Sequence, residues 1–515
     1  MAQPDLTMRH QSDIAFDDMQ VLLRFGNGRL TESAFLLLGI KNANAARQWL
    51  NTAPISNAVA TDPLPDTALQ IAFSAQGLAA IGLDREAIEE FSDEFITGMS
   101  GDESRSRRLG DTGGNAPEHW EWGGKPDQLP HVLLLLYAGQ DGLAAWRDQI
   151  TDTTFTQAFD LLAELPTATL EATEPFGFVD GISQPRIDWE QQQSTDPHQR
   201  DEYSNWLTPG DVVLGHPNEY GLYTPRPLVE PGRNARADIL PDAEDVPGKK
   251  DFGRNGCYLV IRQLQQDVPG FWQFVDQAAG SDVEKREALA ASMVGRHRDG
   301  TPLVQPAKVA VPGIPSTDAL NHFTFAGDPA GNRCPIGAHI RRTNPRNGDY
   351  PPGVTSLLSR LVRALGFGLS RPEADLIAST RFHRLLRRGR NYGPKLTPED
   401  AIKSDPPSAE RGLQFVCLVG NITRQFEFVQ NAWVNSSKFA GVQDERDPLL
   451  GTRSALSNQA PTDRFRRPDA SGPTRTTSAM PQFITVKGGA YFFMPGLRAL
   501  KFLANPATDQ DGQSS

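Results

Sequence analysis

Asp180 stands between Gly177 and Gly181 in EPFGFVDGISQPRI, residues 174–187. Two glycines around a short carboxylate make an Asx turn, or they let the backbone approach a large group closely while the carboxylate points at it. Both explanations account for the residue types, so the choice rests on what else the chain carries. A second stretch, NRCPIGAHIRRTNPRNGDY, sets His339 after the small residues Gly337 and Ala338 and before Arg341, Arg342, Asn344 and Arg346. A lone histidine is commonly a hydrogen-bonded structural residue, but cations beside the ring suit a large anionic ligand. No second histidine or carboxylate follows at helical spacing, which argues against a zinc or di-metal centre. A haem needs only one protein ligand on a face, because the macrocycle supplies the equatorial nitrogens and its propionates want cations. In STRFHRLLRRGRNYGP, six residues between 379 and 394 are Arg or His. Most of them read as a solvated cationic face, but Arg387, after Leu385-Leu386 and before a glycine turn, is placed to be aimed into a cavity.

The elements that would position these residues alternate along the chain. SAFLLLGI, LQIAF and HVLLLLYAG read as strands, each followed by a helical stretch: NANAARQWL, then QGLAAIGL, then GLAAWRDQI with FTQAFDLLAEL. From Pro185 to about residue 255 the text is charged and rich in Pro and Gly, which predicts a long connection over the surface. The pattern then restarts. CYLVIRQLQQ precedes a helix with Phe271, Trp272 and Val275 on one face, GLQFVCLVG precedes helical ITRQFEFVQNAWV, and QFITVKGGAYFFM reads as two strands around Gly488-Gly489 before a closing helix. This order suggests a duplicated α+β unit with helices on one side of each sheet, and pattern alone leaves a parallel α/β sheet open.

The chain has 515 residues, 38% of them hydrophobic, and a net charge of −12. That is enough apolar material for real cores and the wrong charge for a nucleic-acid surface. Cys257, Cys334 and Cys417 form no CxxC or CxxCH and no disulfide-like spacing, which points to a reducing compartment. With no leader-like or bilayer-length apolar run, the expectation is a cytoplasmic protein with no membrane partner. No G-x-S-x-G or phosphate loop supports a hydrolase.

Together the three stretches resemble the dye-decolorizing peroxidases. GFVDG with its extension GISQPRI, CPIGAHIRRTNPR and LRRGRNYGP match that family's motifs in order, and LVGNITRQFEFVQNAWVN, DPLLG and ITVKGGAYFFMPGLRALKFL extend the likeness over most of the chain. The resemblance implies an α+β fold of two ferredoxin-like domains with antiparallel sheets in a dimeric α/β-barrel-like arrangement, and haem in the C-terminal half. It places an N-terminal domain at 1–190, the connection at 191–255, the haem domain at 256–505 and a disordered tail at 506–515. It implies one haem b per chain with His339 as the iron ligand, Asp180 as distal acid–base and Arg387 as its partner. Asn344 and Arg346 would lie beside the haem, Arg346 at a propionate. Leu413 and Phe415 would press on the distal face, and Asp447 would pair with the far nitrogen of His339. Arg390-Asn391 departs from the family, where an apolar-Pro pair is usual, and is expected to reshape the substrate entrance.

The implied activity is hydrogen peroxide-dependent oxidation of dyes, phenols and other bulky reductants through a ferryl intermediate, best at acidic pH. Surface Tyr350, Tyr392 or Trp433 would relay electrons, packing being their alternative role. Homo-oligomerisation stays open. The competing reading is a non-catalytic haem carrier or iron-releasing protein, which would keep His339 but have no use for Asp180 with Arg387.

Overall fold

A computed structural model describes residues 14–191, 205–231, 236–304, 320–346, 380–453, 461–469 and 472–505. The apolar runs of the first half form β1 (Glu32–Ile40), β2 (Thr67–Phe73) and β3 (Val132–Ala138). Every position of β3 is buried: Val132, Leu134 and Leu136 enter one core and Leu133, Leu135 and Tyr137 another, on the opposite face. A strand covered on both faces shows no polar alternation, which is why the run reads as continuously apolar.

FTQAFDLLAEL departs from the expected helix. A short helix ends at Ala158, and β4 (Phe159–Leu165) pairs antiparallel with β1 from Ile40↔Phe159 to Phe35↔Leu165. The apolar spacing suits a helix, but the unpaired edge of β1 offers a ladder of backbone hydrogen bonds, and that long-range pairing outweighs the local pattern. Leu161 and Leu162 are consequently exposed, at 50% and 52%.

The second half supplies β5 (Cys257–Gln266), β6 (Leu386–Arg387), β7 (Arg390–Tyr392), β8 (Gly412–Val419) and β9 (Ile484–Met494). QFITVKGGAYFFM is one strand with a register shift between Val486 and Gly488, not two strands around a turn. The glycine serves a close approach: a Cβ on Gly488 would lie 2.4 Å from the Trp122 ring.

All nine strands form one sheet in the order β6-β8-β5-β9-β2-β3-β1-β4, with β7 also pairing β8. Within each half the pairing is antiparallel and follows the ferredoxin-like order, which excludes the parallel α/β alternative. The halves meet edge to edge at Phe493↔Phe73. The described strands close no barrel, since β4 and β6 are the free ends of the path.

The sheet is covered on both faces, not on one. Helices such as Ala43–Thr52 and Val268–Ala278 cover the first face. The second face is closed partly by the connection itself, whose Leu207, Val212 and Val213 are fully buried. Part of the connection is therefore buried against the sheet, because an uncovered apolar sheet face needs a lid, while Tyr220 and Leu222 of the same connection are exposed. Among the described residues no helix is long and apolar enough to cross a membrane. The segment 506–515 lies outside the described residues.

Candidate active site

The loop carrying Asp180 is held from several sides. Glu174 accepts hydrogen bonds from Phe176 N and Phe178 N, each at 3.0 Å, and from Gln266 Nε2 at 2.9 Å. Trp272 Nε1 donates to Phe176 O at 3.1 Å, and Asp180 N donates to Ala172 O at 3.0 Å. Gly177 and Gly181 adopt φ of +94° and +81°, a region that side chains with a Cβ rarely occupy. The two glycines thus allow the tight reversal that turns the Asp180 carboxylate into a cavity.

That cavity contains about 1570 Å³ of empty space, counting its mouth open to solvent, and Asp180, Arg387, His339, Asn344, Leu413 and Phe415 all line it. Arg387 sits on the two-residue strand β6, and its Nη1 donates to Asp180 Oδ1 at 3.0 Å. The Asp180 side chain remains 40% accessible because it faces the cavity. Loss of water beside the cavity walls would by itself raise the carboxyl's pKa. The Arg387 charge, the Gly181 N–H and the Arg387 hydrogen bond outweigh it, and the group is held below its ordinary value.

His339 opens the short helix His339–Thr343, and its Nδ1 lies 2.9 Å from Oδ2 of Asp447. Asp447 is fully buried and accepts Leu449 N and Leu450 N on Oδ1, each at 2.9 Å. Burial works against both charges, but each stabilises the other: the imidazole is shifted up and the carboxyl down. A histidine whose Nδ1 is fixed in this way presents Nε2 as the remaining ring nitrogen.

The arginines following His339 serve the protein itself. Arg342 donates to the carbonyls of Gly337, Trp433, Ser436 and Glu445, and Arg341 to Cys334 O and Asp328. Arg346 is 2% exposed, donates to Asn321 O, Phe323 O and Asn321 Oδ1, and is not among the residues lining the cavity. Arg346, expected at a propionate, is thus set back from the described cavity wall, and Arg296 is an arginine that does line it. Among the described residues the acceptors of Arg296 are all neutral: Gly300 O, Leu320 O and Ser183 Oγ. Burial, then the charges of Arg346 and Arg387, lower its pKa to about 10. Nothing local to Arg296 in RHRDG distinguishes it in the sequence, since only the fold brings it to the cavity beside Asp180, Arg387 and His339.

Glu174 is a second cavity carboxyl that motif reading passes over. Burial outweighs its hydrogen bonds from Phe178, Gln266 and Phe176 and pushes it up to about 7. Arg390 and Asn391 are not among the described residues that line the cavity: Arg390 Nη2 donates to Asn27 O and Leu30 O, and Asn391 Nδ2 to Thr173 O, tying β7 to the first half. Tyr392 and Trp433 are interior, at 2% and 7% exposure, Tyr392 bonded to Glu410 at 3.1 Å and Trp433 packed 5.4 Å from Phe428. Neither is a surface residue, and Tyr350 lies outside the described residues.

The donor set fits a haem. One imidazole with a fixed far nitrogen faces the cavity, Ile340, Leu413, Phe415, Phe426, Val429 and Leu449 offer apolar walls, and Arg296 offers a cation for a carboxylate.

Among known proteins, the chain is similar to peroxidases. No family model matches it. Peroxidase 2 of Mycetinis scorodonius is 29% identical over 97% of this chain and 91% of its own length. The multifunctional dye peroxidase DyP2 of Amycolatopsis sp. is 27% identical over 97% and 95%. An ancestral D-type dye-decolorizing peroxidase superposes with a TM-score of 0.69 at 24% identity, covering 95% of this chain and 99% of that one. The chain is thus a homologue of the dye-decolorizing peroxidases along nearly its whole length, the family that its motifs resemble.

Proposed function

We propose that this chain is a haem-dependent peroxidase that reduces hydrogen peroxide with electrons from dyes, phenols and other bulky aromatic compounds. The observation that carries this reading is the Asp180–Arg387 pair, in contact at 3.0 Å, on the wall of the cavity that His339 also lines. A haem carrier needs the imidazole but has no use for a preorganised acid–cation pair.

Haem b, one per chain, would supply the redox-active iron at which peroxide is cleaved, held by His339 and by cations such as Arg296. The absence of any CxxCH in the sequence supports a non-covalent haem. Asp447 fixes the His339 ring through Nδ1 and keeps electron density on the imidazole. Asp180, with Oδ1 engaged by Arg387, accepts the proton of incoming peroxide on Oδ2 and returns it to the departing oxygen. Because its pKa is depressed, it stays ionised at acidic pH and remains able to take that proton. Arg387 sets a permanent positive charge where negative charge develops, in a recess whose water is limited by Phe178, Leu413 and Phe415. A cytoplasmic location is part of the proposal, supported by three buried cysteines that are all unpaired. Fractionation of the source cells tests it, recovery with the exported fraction being the contrary result.

The deciding experiment on function is the visible spectrum of haem-loaded protein before and after one equivalent of hydrogen peroxide. Prompt conversion that a phenol or dye reverses supports the peroxidase. A haem spectrum that peroxide leaves unchanged supports the carrier.

A further inference from the structure

Gln184 follows Asp180 on the same loop and is bonded to the backbone of Arg387, 203 residues away. Arg387 N donates to Gln184 Oε1 at 3.1 Å, and Gln184 Nε2 donates to Arg387 O at 3.2 Å. A side-chain amide used in this way imitates a neighbouring strand. Strand β6 is only two residues long and ends the sheet. On its inner side β8 holds it, through Leu386↔Leu418, Arg387↔Cys417 and the bond from Arg388 N to Val416 O at 2.7 Å. On its outer side Gln184 takes both polar groups of the residue that carries the guanidinium.

Gln184 is itself fixed. Its carbonyl accepts Asn205 Nδ2 at 2.6 Å and Asn321 Nδ2 at 3.3 Å, and its neighbour Ser183 accepts Arg296 Nη2 at 3.0 Å. Asp180 and the clamp on Asp180's partner therefore ride on one loop, so a displacement of that loop carries both and preserves the 3.0 Å contact between carboxylate and guanidinium.

We propose that Gln184 is the positioning residue for Arg387, its amide holding the outer edge of the short strand so that the guanidinium stays aimed at Asp180 and the cavity. This rests on the reading above that Arg387 is the cavity's charge stabiliser. The same holoenzyme preparations test both and separate them. Gln184→Met keeps volume but can neither donate nor accept; Gln184→Asn keeps an amide too short to make both bonds; Arg387→Leu removes the charge. Fluoride affinity, read from the visible spectrum, reports the charge beside a bound anion without turnover, and stopped-flow mixing with peroxide across pH reports the acid limb of the peroxide step.

Gln184→Met is expected to bind fluoride about 10–100-fold more weakly, the usual effect of an outer residue that orients a functional group. Its acid limb should move up, toward that of Arg387→Leu, with haem content and melting temperature near wild type. Gln184→Asn should fall between, and it decides the matter if Gln184→Met does not fold. Gln184→Met combined with Arg387→Leu should be no worse than Arg387→Leu alone, because a positioning residue has nothing left to position. Wild-type fluoride affinity and acid limb in both Gln184 variants, with both changed in Arg387→Leu, would overturn the role of Gln184 and leave that of Arg387 standing. If Arg387→Leu changes neither quantity, the reading of Arg387 falls, and the inference falls with it.

Discussion

At the scale of single residues, the question is which charge state each group holds while peroxide is present. The cavity walls strip water from the Asp180 carboxylate, which favours its neutral form, and the adjacent Arg387 reverses that preference. The midpoint of proton uptake by Asp180 therefore lies below the ordinary aspartate value of 3.8, and the peroxide step should lose rate only as the pH falls through that depressed midpoint. Asp180→Asn preserves shape but cannot take a proton, so it should slow the step by roughly 10²–10⁴-fold and lack the acid limb. Stopped-flow rates across acidic pH check this, and wild-type rates in the variant would return GFVDG to the Asx turn that its residue types equally allow. His339→Ala should lose most of its haem, since no second imidazole lines the cavity among the described residues. It also strands the buried Asp447 carboxylate, whose Oδ2 loses its 2.9 Å partner. Haem content after purification with haem supplied is the measurement; full occupancy with an unchanged spectrum would move the ligand elsewhere.

At the scale of elements, the positions most legible in the sequence were those where one local motif makes the geometry: the glycines at Gly177 and Gly181 and the His339 segment. Asp180, Arg387, His339, Asn344, Leu413 and Phe415 were expected together and line one cavity. Arg296, Gln184 and Glu174 were not singled out, because their roles depend on partners distant in the chain, as Gln184 depends on a strand 203 residues away. The edge strand β4 was hidden for the same reason: its periodicity is helical, and only the open edge of β1 makes it a strand. Glu174 permits a test of the loop as a unit. Its carboxyl shifts from 4.5 up to about 7, so between those values the folded chain binds more protons there than the unfolded chain. Its contribution to stability is then present at low pH and is lost as pH rises toward 7. Glu174→Gln removes that titration. Relative to the variant, the wild type should therefore lose on the order of 2 kcal/mol of stability over this interval. Urea midpoints of both proteins in matched buffers measure the difference, which cancels other titrating groups such as Asp211; parallel pH profiles would remove Glu174 as the cause.

At the scale of the molecule, the two ferredoxin-like halves were legible as a repeat of strands and helices, but the way they join was not. A repeat predicts two similar units and says nothing about which edges meet. Among the described residues the backbone pairing between them is slight, Phe493↔Phe73 in the sheet and the isolated bridge Trp122↔Gly488, which taken alone would make a weak seam. The side chains say otherwise. Phe91 of the first half packs 5.0 Å from Phe493 and 6.4 Å from Tyr258, and Phe95 lies 5.6 Å from Tyr258. One buried cluster takes in Leu36 and Leu134 from the first half with Val260, Phe271 and Tyr491 from the second. Gln20 bonds both Ile71 and Pro495, and Asp18 accepts Arg498 N, so the start of the described chain is stitched to its end. Opening either half alone would expose this shared apolar surface, at about 25 cal/mol for each Å² uncovered. The haem-free protein should therefore unfold in one cooperative step, with calorimetric and van't Hoff enthalpies equal and with tryptophan fluorescence and far-ultraviolet circular dichroism tracing one curve. Two resolved transitions, or probes that separate, would show that the aromatic seam is too weak to couple the halves and that each ferredoxin-like unit folds on its own.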